Sequence, residues 1–268
     1  MKEKVIYYTD ELNDDFEKTS LSRPELPANY KFKRTNKINN FFSDALYYCI
    51  AKPVFKVFNF FSGVRIHDSK KLKEYKNQGM FIYSNHTSFF DVFTIQSCVV
   101  KHKRVNIVGY TDASTIPVAK HLCRALGYIP LPSSLKGYKD FIEALRWYTV
   151  EMKQDVLIFP EAHIWPYYTK IRPFLDSSFH YPAKFNVPIL PIVSTFRKRK
   201  FFKKPGIDVR IGEPIYPKEG LTTAQNKKYL RDECYKQMID IASSVEQYEY
   251  IKYVKKSDKN WYNNNMPS

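Results

Sequence analysis

"GMFIYSNHTSFFD", Gly79 to Asp91, joins an unbroken apolar run to a polar cluster. The run Met80 to Tyr83 suits a strand buried on both faces, and Ser84-Asn85 ends it where a helix can start. "GMFIYSN" (79–85) is therefore predicted as a buried strand that feeds directly into a helix. The same pattern recurs outward from it. "RVNIVG" (104–109), "DVLIFP" (155–160), "VPILPIV" (187–193) and "IDVRIGEPI" (207–215) read as strands, and "GYIPLP" (127–132) as a short one ended by Pro132. A basic, partly helical stretch runs from Ile116 to Leu126. "KDFIEALRWYTVEM" (139–152) is predicted helical, with Phe141, Leu145, Tyr148 and Met152 on one stripe. Thr222 and Gln225 form a capping box ahead of a long helix reaching about Gln247, with Leu230, Cys234, Met238 and Ile241 facing inward. Strands that alternate with helices give the α/β class: a mixed, mostly parallel sheet flanked by helices. Polar groups just beyond the strand C-termini gather at a site in such a sheet.

With 44% apolar and 16% aromatic residues the chain is not a disordered sequence. Its net charge of +16 is uneven, since residues 1–30 carry seven acids against four bases and the rest holds +19. Such an excess favours a polyanionic partner, whether nucleic acid, an anionic bilayer or an acidic carrier protein. Cys49, Cys98, Cys123 and Cys234 are widely spaced, which argues against a zinc site or a disulfide framework and for a reducing compartment. The acidic start "MKEKVIYYTDELNDDF" has no signal-peptide h-region, so export is not expected.

No stretch reaches the ~20 uninterrupted apolar residues of a membrane span. The nearest, "DALYYCIAKPVFKVFNFFSG" (44–63), is broken by Lys52, Pro53 and Lys56. It reads as two short helices with a proline kink, presenting Leu46, Tyr47, Ile50, Phe55, Phe58, Phe60 and Phe61. Its lysines would snorkel toward lipid headgroups, or the segment would pack on the core instead. The expected organisation is an acidic extension (1–39), membrane-contact helices (40–65), one domain (66–250) and a basic, polar tail (251–268).

His86 and Glu161 each fall just after an apolar strand. On a continuous helix His86 and Asp91 would point ~140° apart. With His86 still in the turn, Asp91 can fold back toward the imidazole, fixing its tautomer as a general base requires. The spacing alone is common and is met more often by a His that caps the helix and an Asp paired with some lysine. One His, one Asp and one Glu, with His163 nearby, would also suit a metal, but no spacing demands one.

Taken together, "SNHTSFFD" (84–91), "LGYIPLP", "FPEAH" (159–163) and "VPILPIV", in this order, resemble the glycerolipid acyltransferase family typified by 1-acylglycerol-3-phosphate acyltransferases. The family's blocks are NHxxxxD, a Gly-x-x-x-(Ile/Val)-(Asp)-Arg block, FPEG and Val-Pro-(Ile/Val)-Pro-Val, and the resemblance spans about residues 40 to 215. It implies that His86 is the general base that deprotonates an acceptor hydroxyl and that Asp91 orients it. It places Asn85, Pro160 and Glu161 with substrate binding, Pro160 as the turn that presents Glu161. The donor would be a fatty acyl-CoA or acyl-acyl carrier protein and the acceptor a lysophospholipid, with no metal or organic cofactor. It further implies a peripheral enzyme on the cytoplasmic face of the cell membrane, held by N-terminal apolar helices.

The departures concern cations. Pro132-Ser133 stands where the family often has Asp-Arg, Glu161-Ala162-His163-Ile164 replaces Glu-Gly-Thr-Arg, and Tyr110-Thr111-Asp112 replaces a lysine-rich stretch. A buried phosphate without a cation is costly. Either Lys136, Lys170 or Arg172 supplies the charge, or the acceptor is not a simple lysophosphatidate. "FRKRKFFKKP" (196–205) resembles a nucleic-acid patch but carries no such signature; a loop facing anionic lipid or an acidic acyl carrier protein is more economical. The expected function is acyl transfer by a His–Asp general base, at an anionic membrane surface and without nucleic acid. The alternatives are an inactive membrane-binding relative or a nucleic-acid-binding protein.

Overall fold

The computed structural model describes residues 4–16, 25–27, 29–99, 103–111, 117–132 and 134–256. Asp112, Ser133 and the tail from 257 onward, which enter the sequence reading above, lie outside the described residues.

The apolar runs become the strands of one sheet. In chain order these are β2 (Val64–His67), β3 (Phe81–Ser84), β4 (Val105–Gly109), β5 (Tyr128–Pro130), β6 (Asp155–Ile158), β7 (Ile189–Arg197) and β8 (Gly206–Ile211). They pair in the order β2-β8-β7-β3-β6-β4-β5. β7, β3, β6, β4 and β5 run parallel, β8 runs antiparallel to β7, and β2 follows β8. The sheet is thus mixed and mostly parallel, as expected. Its central strands are buried on both faces, which is why they read as continuous apolar runs rather than alternating ones.

Each face has its own core. Phe81, Tyr83, Val156, Ile158, Ile189 and Val193 pack against α5 (Leu135–Arg146), α6 (His180–Phe185) and α7 (Thr223–Ser243). Ile82, Leu157, Leu190 and Ile192 point the other way, toward Ile95 and Leu72. α4 (Pro117–Ala125) falls in the basic stretch expected to be partly helical, and α5 begins earlier than the apolar stripe suggests, because the Ser134 hydroxyl accepts the Gly137 N–H. Its end winds through a wide π turn, Trp147–Glu151, and that extra residue carries Met152 out to solvent, off the stripe expected to bury it. α7 has the expected capping box at Thr222 and Gln225 but stops at Ser243. Leu230, Cys234 and Met238 are fully buried; Ala242, at the next four-residue step, completes the stripe while Ile241 is only partly buried. β7 runs four residues past the expected limit, and β8 ends before Glu213, with Ile215 returning as a single bridge to Ile189.

Two segments differ from the sequence reading. The first is 37–61, which is one helical run. α1 (Lys37–Ala45) passes through a π turn, Leu46–Ala51, into α2 (Lys52–Phe61), with Pro53 in the first turn of α2. The wide turn spares the hydrogen bond that Pro53 cannot donate, so no second helix is needed. Gly63, at φ +70, ends α2. Tyr47 and Lys52 turn inward rather than outward: Lys52 is buried over the rings of Tyr47 and Tyr48 and does not snorkel. Phe55 stacks on Phe93 at 4.1 Å, and Asn59 links Thr94 (2.9 Å) to Ser97 (3.2 Å). The opposite face is open, exposing Ile38, Phe41, Phe42, Ile50, Val54 and Val57 among others. Among the described residues no helix is long and apolar enough to cross a membrane.

The second is a small parallel sheet that joins the two ends of the chain. β1 (Lys4–Tyr8), inside the expected acidic extension, pairs with β9 (Ile251–Lys255), inside the expected tail.

Candidate active site

β3 and β6 are parallel neighbours, so the residues that follow them emerge at one rim of the sheet, ~5 Å apart. Asn85 comes first. Its side-chain amide pairs with the backbone of Ser194 in both directions (2.8 and 3.0 Å), prolonging the β3–β7 ladder by one step. Asn85 is buried and faces β7, so its side chain holds the strand end.

The chain then turns at His86-Thr87-Ser88 and enters a short helix, α3 (Asp91–Thr94). Asp91 Oδ2 accepts the N–H groups of Thr87 (2.7 Å) and Ser88 (2.8 Å), so the carboxylate folds back over the turn. The same oxygen lies 3.4 Å from His86 Nδ1. His86 and Asp91 are brought together because the histidine lies before the helix. Asp91 is buried, whereas the His86 side chain keeps 14% of its surface open. The imidazole stacks flat on Phe159 (centroids 4.0 Å, planes 14° apart), a contact that the sequence reading missed. Phe159 stands in the quoted "FPEAH" block, but nothing in its type or position reveals which ring it covers.

Glu161 approaches from β6. Pro160 lies in the turn closed by the Ala162 N–H on the Phe159 carbonyl (3.1 Å), and Ala162 takes φ +64 there. Glu161 Oε2 accepts the backbone N–H of His86 (3.3 Å), and Oε1 accepts that of Arg172 (3.0 Å). The glutamate therefore ties the histidine turn to its own loop. Two further backbone bonds do the same: Trp165 N–H to the His86 carbonyl (3.1 Å) and Tyr167 N–H to the Thr87 carbonyl (3.2 Å). Burial pushes the Glu161 carboxyl above the usual carboxylate range, while Arg172 and the two amides pull it back.

Arg172 is not at the surface. Its side chain has no exposed area, and its guanidinium reaches Glu161 Oε2 (3.3 Å) and the carbonyls of Glu161 (3.2 Å), Glu11 (3.1 Å) and His163. It also lies over the Trp165 ring at 4.8 Å. Through its two Nη groups Arg172 braces Glu161 and the neighbouring backbone. Lys136 and Lys170 are exposed. Lys136 lies in the first turn of α5, after β5, two strands beyond β6 on the same rim and on the order of 10 Å from it. His163 Nδ1 lies 3.4 Å from Asp15. Among the described residues no three His, Cys, Asp or Glu side chains are grouped to hold a metal ion.

The site thus offers a carboxylate-oriented imidazole with one open edge, set on an aromatic ring and braced by a buried glutamate. A family model described as "Acyltransferase" matches residues 63–195, a span from the start of β2 into β7 that holds every one of these groups. The fold is similar to that of the 1-acyl-sn-glycerophosphate (LPA) acyltransferase PlsC from Thermotoga maritima, with a TM-score of 0.54 at 18% identity over 81% of this chain and 87% of that one. No curated protein sequence matches the chain significantly. The match over residues 63–195, which holds the quoted blocks, marks that span as an acyltransferase domain, and the Thermotoga enzyme shares its fold.

Proposed function

We propose that this acyltransferase moves a fatty acyl group from an acyl thioester to the hydroxyl of a lysophospholipid, of which 1-acylglycerol-3-phosphate is the reference case, with His86 as general base. The observation that carries this reading is the Nδ1 edge of His86 facing Asp91. A carboxylate only accepts, so Nδ1 bears the proton and the lone pair lies on Nε2. Nε2 takes the acceptor hydroxyl's proton as that oxygen attacks the thioester carbonyl. The tetrahedral intermediate collapses by breaking the C–S bond, and the thiolate recovers the proton from the imidazolium. Ester and free thiol are the products, and the thioester itself supplies the activation. Asp91 stabilises the imidazolium; Glu161 fixes the turn through the His86 amide. The donor is either acyl-CoA or acyl carrier protein.

The membrane reading rests on the open apolar face of α1 and α2. Phe58 and Phe90 rings lie 4.6 Å apart and Phe55 stacks on Phe93, so this helix pair packs directly on the segment that carries Asp91. Peripheral attachment to the cytoplasmic membrane face would set the rim against the lipid interface, where a lysolipid enters without leaving the bilayer. Exposed Lys136 and Lys170 are the cations available to an acceptor phosphate.

The test is incubation of the purified protein with radiolabelled acyl thioester and a panel of lysolipids, with and without phosphate headgroups. His86→Ala should lose at least ~10²-fold in rate. An undiminished rate in that variant would overturn the mechanism, and no product from any acceptor would favour an inactive membrane-binding relative.

A further inference from the structure

β7 ends at Arg197 opposite Gly206, the first residue of β8, and the eight residues between them are Lys-Arg-Lys-Phe-Phe-Lys-Lys-Pro. Five are cationic and none is acidic. At the tip, Phe201 is 84% and Phe202 58% exposed. A soluble surface rarely holds two adjacent phenylalanines open to water.

The loop is not a loose excursion. Arg199 donates from Nε to the Lys204 carbonyl and from Nη1 to the Phe61 carbonyl, both at 3.0 Å, and lies over the Phe202 ring at 4.2 Å. Arg197 donates to the Gly63 carbonyl at 2.7 Å. A side chain at Gly63 would meet Arg199 Nη1 at 2.9 Å, so the glycine permits this close approach. The loop is thereby fixed to the C-terminal end of α2, where Phe60 is 79% and Phe61 68% exposed. Four open phenylalanines and the four exposed loop lysines thus stand on two segments tied together.

Its position relative to the site follows from the sheet. β7 and β3 are parallel, with Ile192 beside Ser84. His86 lies two residues past that level and the loop begins six past it, so the loop projects beyond the histidine by on the order of 10 Å.

We infer that residues 198–205 form a second footing on the bilayer that selects anionic lipid, standing beside the α1–α2 face and holding the site mouth at the interface. The inference rests on the membrane reading above and adds to it a lipid preference and a residue set. An anionic bilayer fits both halves of the surface. The phenylalanines enter the acyl boundary, while the lysines meet headgroup phosphates. An acidic protein partner would account for the lysines alone.

Flotation with phosphatidylcholine vesicles, with and without phosphatidylglycerol, tests it. The wild type should bind the anionic vesicles more tightly, and salt should erase that preference. The triple variant K200Q/K203Q/K204Q should lose at least ~tenfold of the preference, a basic residue near an anionic surface being worth about fivefold. F201S/F202S should weaken binding to both compositions by ~tenfold or more, including at high salt. Unchanged thermal melting of both variants shows that the fold survives. If the wild type binds vesicles and both variants bind equally well, this inference fails while the membrane reading stands. If the wild type binds neither composition, the membrane reading falls and takes this one with it. Loss of binding to acyl carrier protein, with vesicle binding intact, would make the loop a protein-docking surface and overturn the lipid assignment.

Discussion

Asp91 shows how one oxygen can serve structure and chemistry together. Its Oδ2 collects two backbone N–H groups of the turn and faces the imidazole, so the turn that buries the carboxylate also aims it. Glu161 and Arg172 form a second such unit. Both are fully buried, and swinging Arg172 out to meet a ligand would strand a charge at a cost of ~3–5 kcal/mol. That cost separates an arginine that braces from one that binds, and nothing in the sequence around Arg172 reveals it. Ala162 carries strain that the family's glycine avoids, since it holds φ +64 in the turn after Glu161. A left-handed backbone costs an L-residue about 1 kcal/mol. Ala162→Gly is expected to raise stability by about that amount. Calorimetry should register it as a rise of roughly 2–4 °C in Tm. A lowered Tm would show that the alanine methyl makes a contact worth more than the strain.

At the level of elements, β1 does unexpected work. The segment that follows it lies along the Glu161 loop: Trp165 Nε1 donates to the Asp14 carbonyl at 2.7 Å and Arg172 to that of Glu11. The Trp165 ring is packed between Tyr8 (4.8 Å) and Tyr253 (5.1 Å), one from each strand of the small sheet. Removing residues 1–8 should therefore loosen the loop, and hydrogen exchange should show faster exchange across 161–172 with the central strands still protected. Unchanged exchange there would show that the loop stands by itself. This strand pair was not legible in the sequence, for physical reasons. "KVIYY" and "IKYVK" are short, half exposed and interrupted by lysine, and they pair across nearly the whole chain. "VRIH", at the edge of the large sheet, escaped because it is as short and is broken by an exposed arginine. The central strands were legible because burial on both faces demands continuous apolar runs. His86, Asp91 and Glu161 were legible because each stands at a fixed step from such a run. The burial of Asn85 and Arg172 was not legible, because a polar residue's type does not disclose which way it points.

Across the whole molecule, the rim that carries the site is set apart from the opposite one. His86, Glu161, the end of α2 and the β7–β8 loop all lie where β3, β6 and β7 end. At the other end, where β6 begins, Asp155 is buried with Lys103 Nζ at 2.6 Å and the Met80 N–H at 3.1 Å, both on Oδ1. Burial pushes this carboxyl from 3.8 up to about 6, with Lys103 and the Met80 amide opposing the rise. An acid whose folded pKa is raised has the reverse of the usual carboxylate linkage. Between about pH 4 and pH 6 the folded chain keeps the proton that the unfolded chain has released, so stability from this group falls as pH rises through that window. Below it both states are protonated, and above it both are ionised and the loss is complete. The full swing is on the order of 3 kcal/mol. Asp155→Asn keeps the Oδ1 acceptor for Met80 and cannot titrate. Urea unfolding of both proteins at either end of the window should therefore show the stability difference moving in the variant's favour as pH rises. A difference that stays constant would mean that Lys103 holds Asp155 ionised throughout, and that the base of the sheet rests on a permanent ion pair.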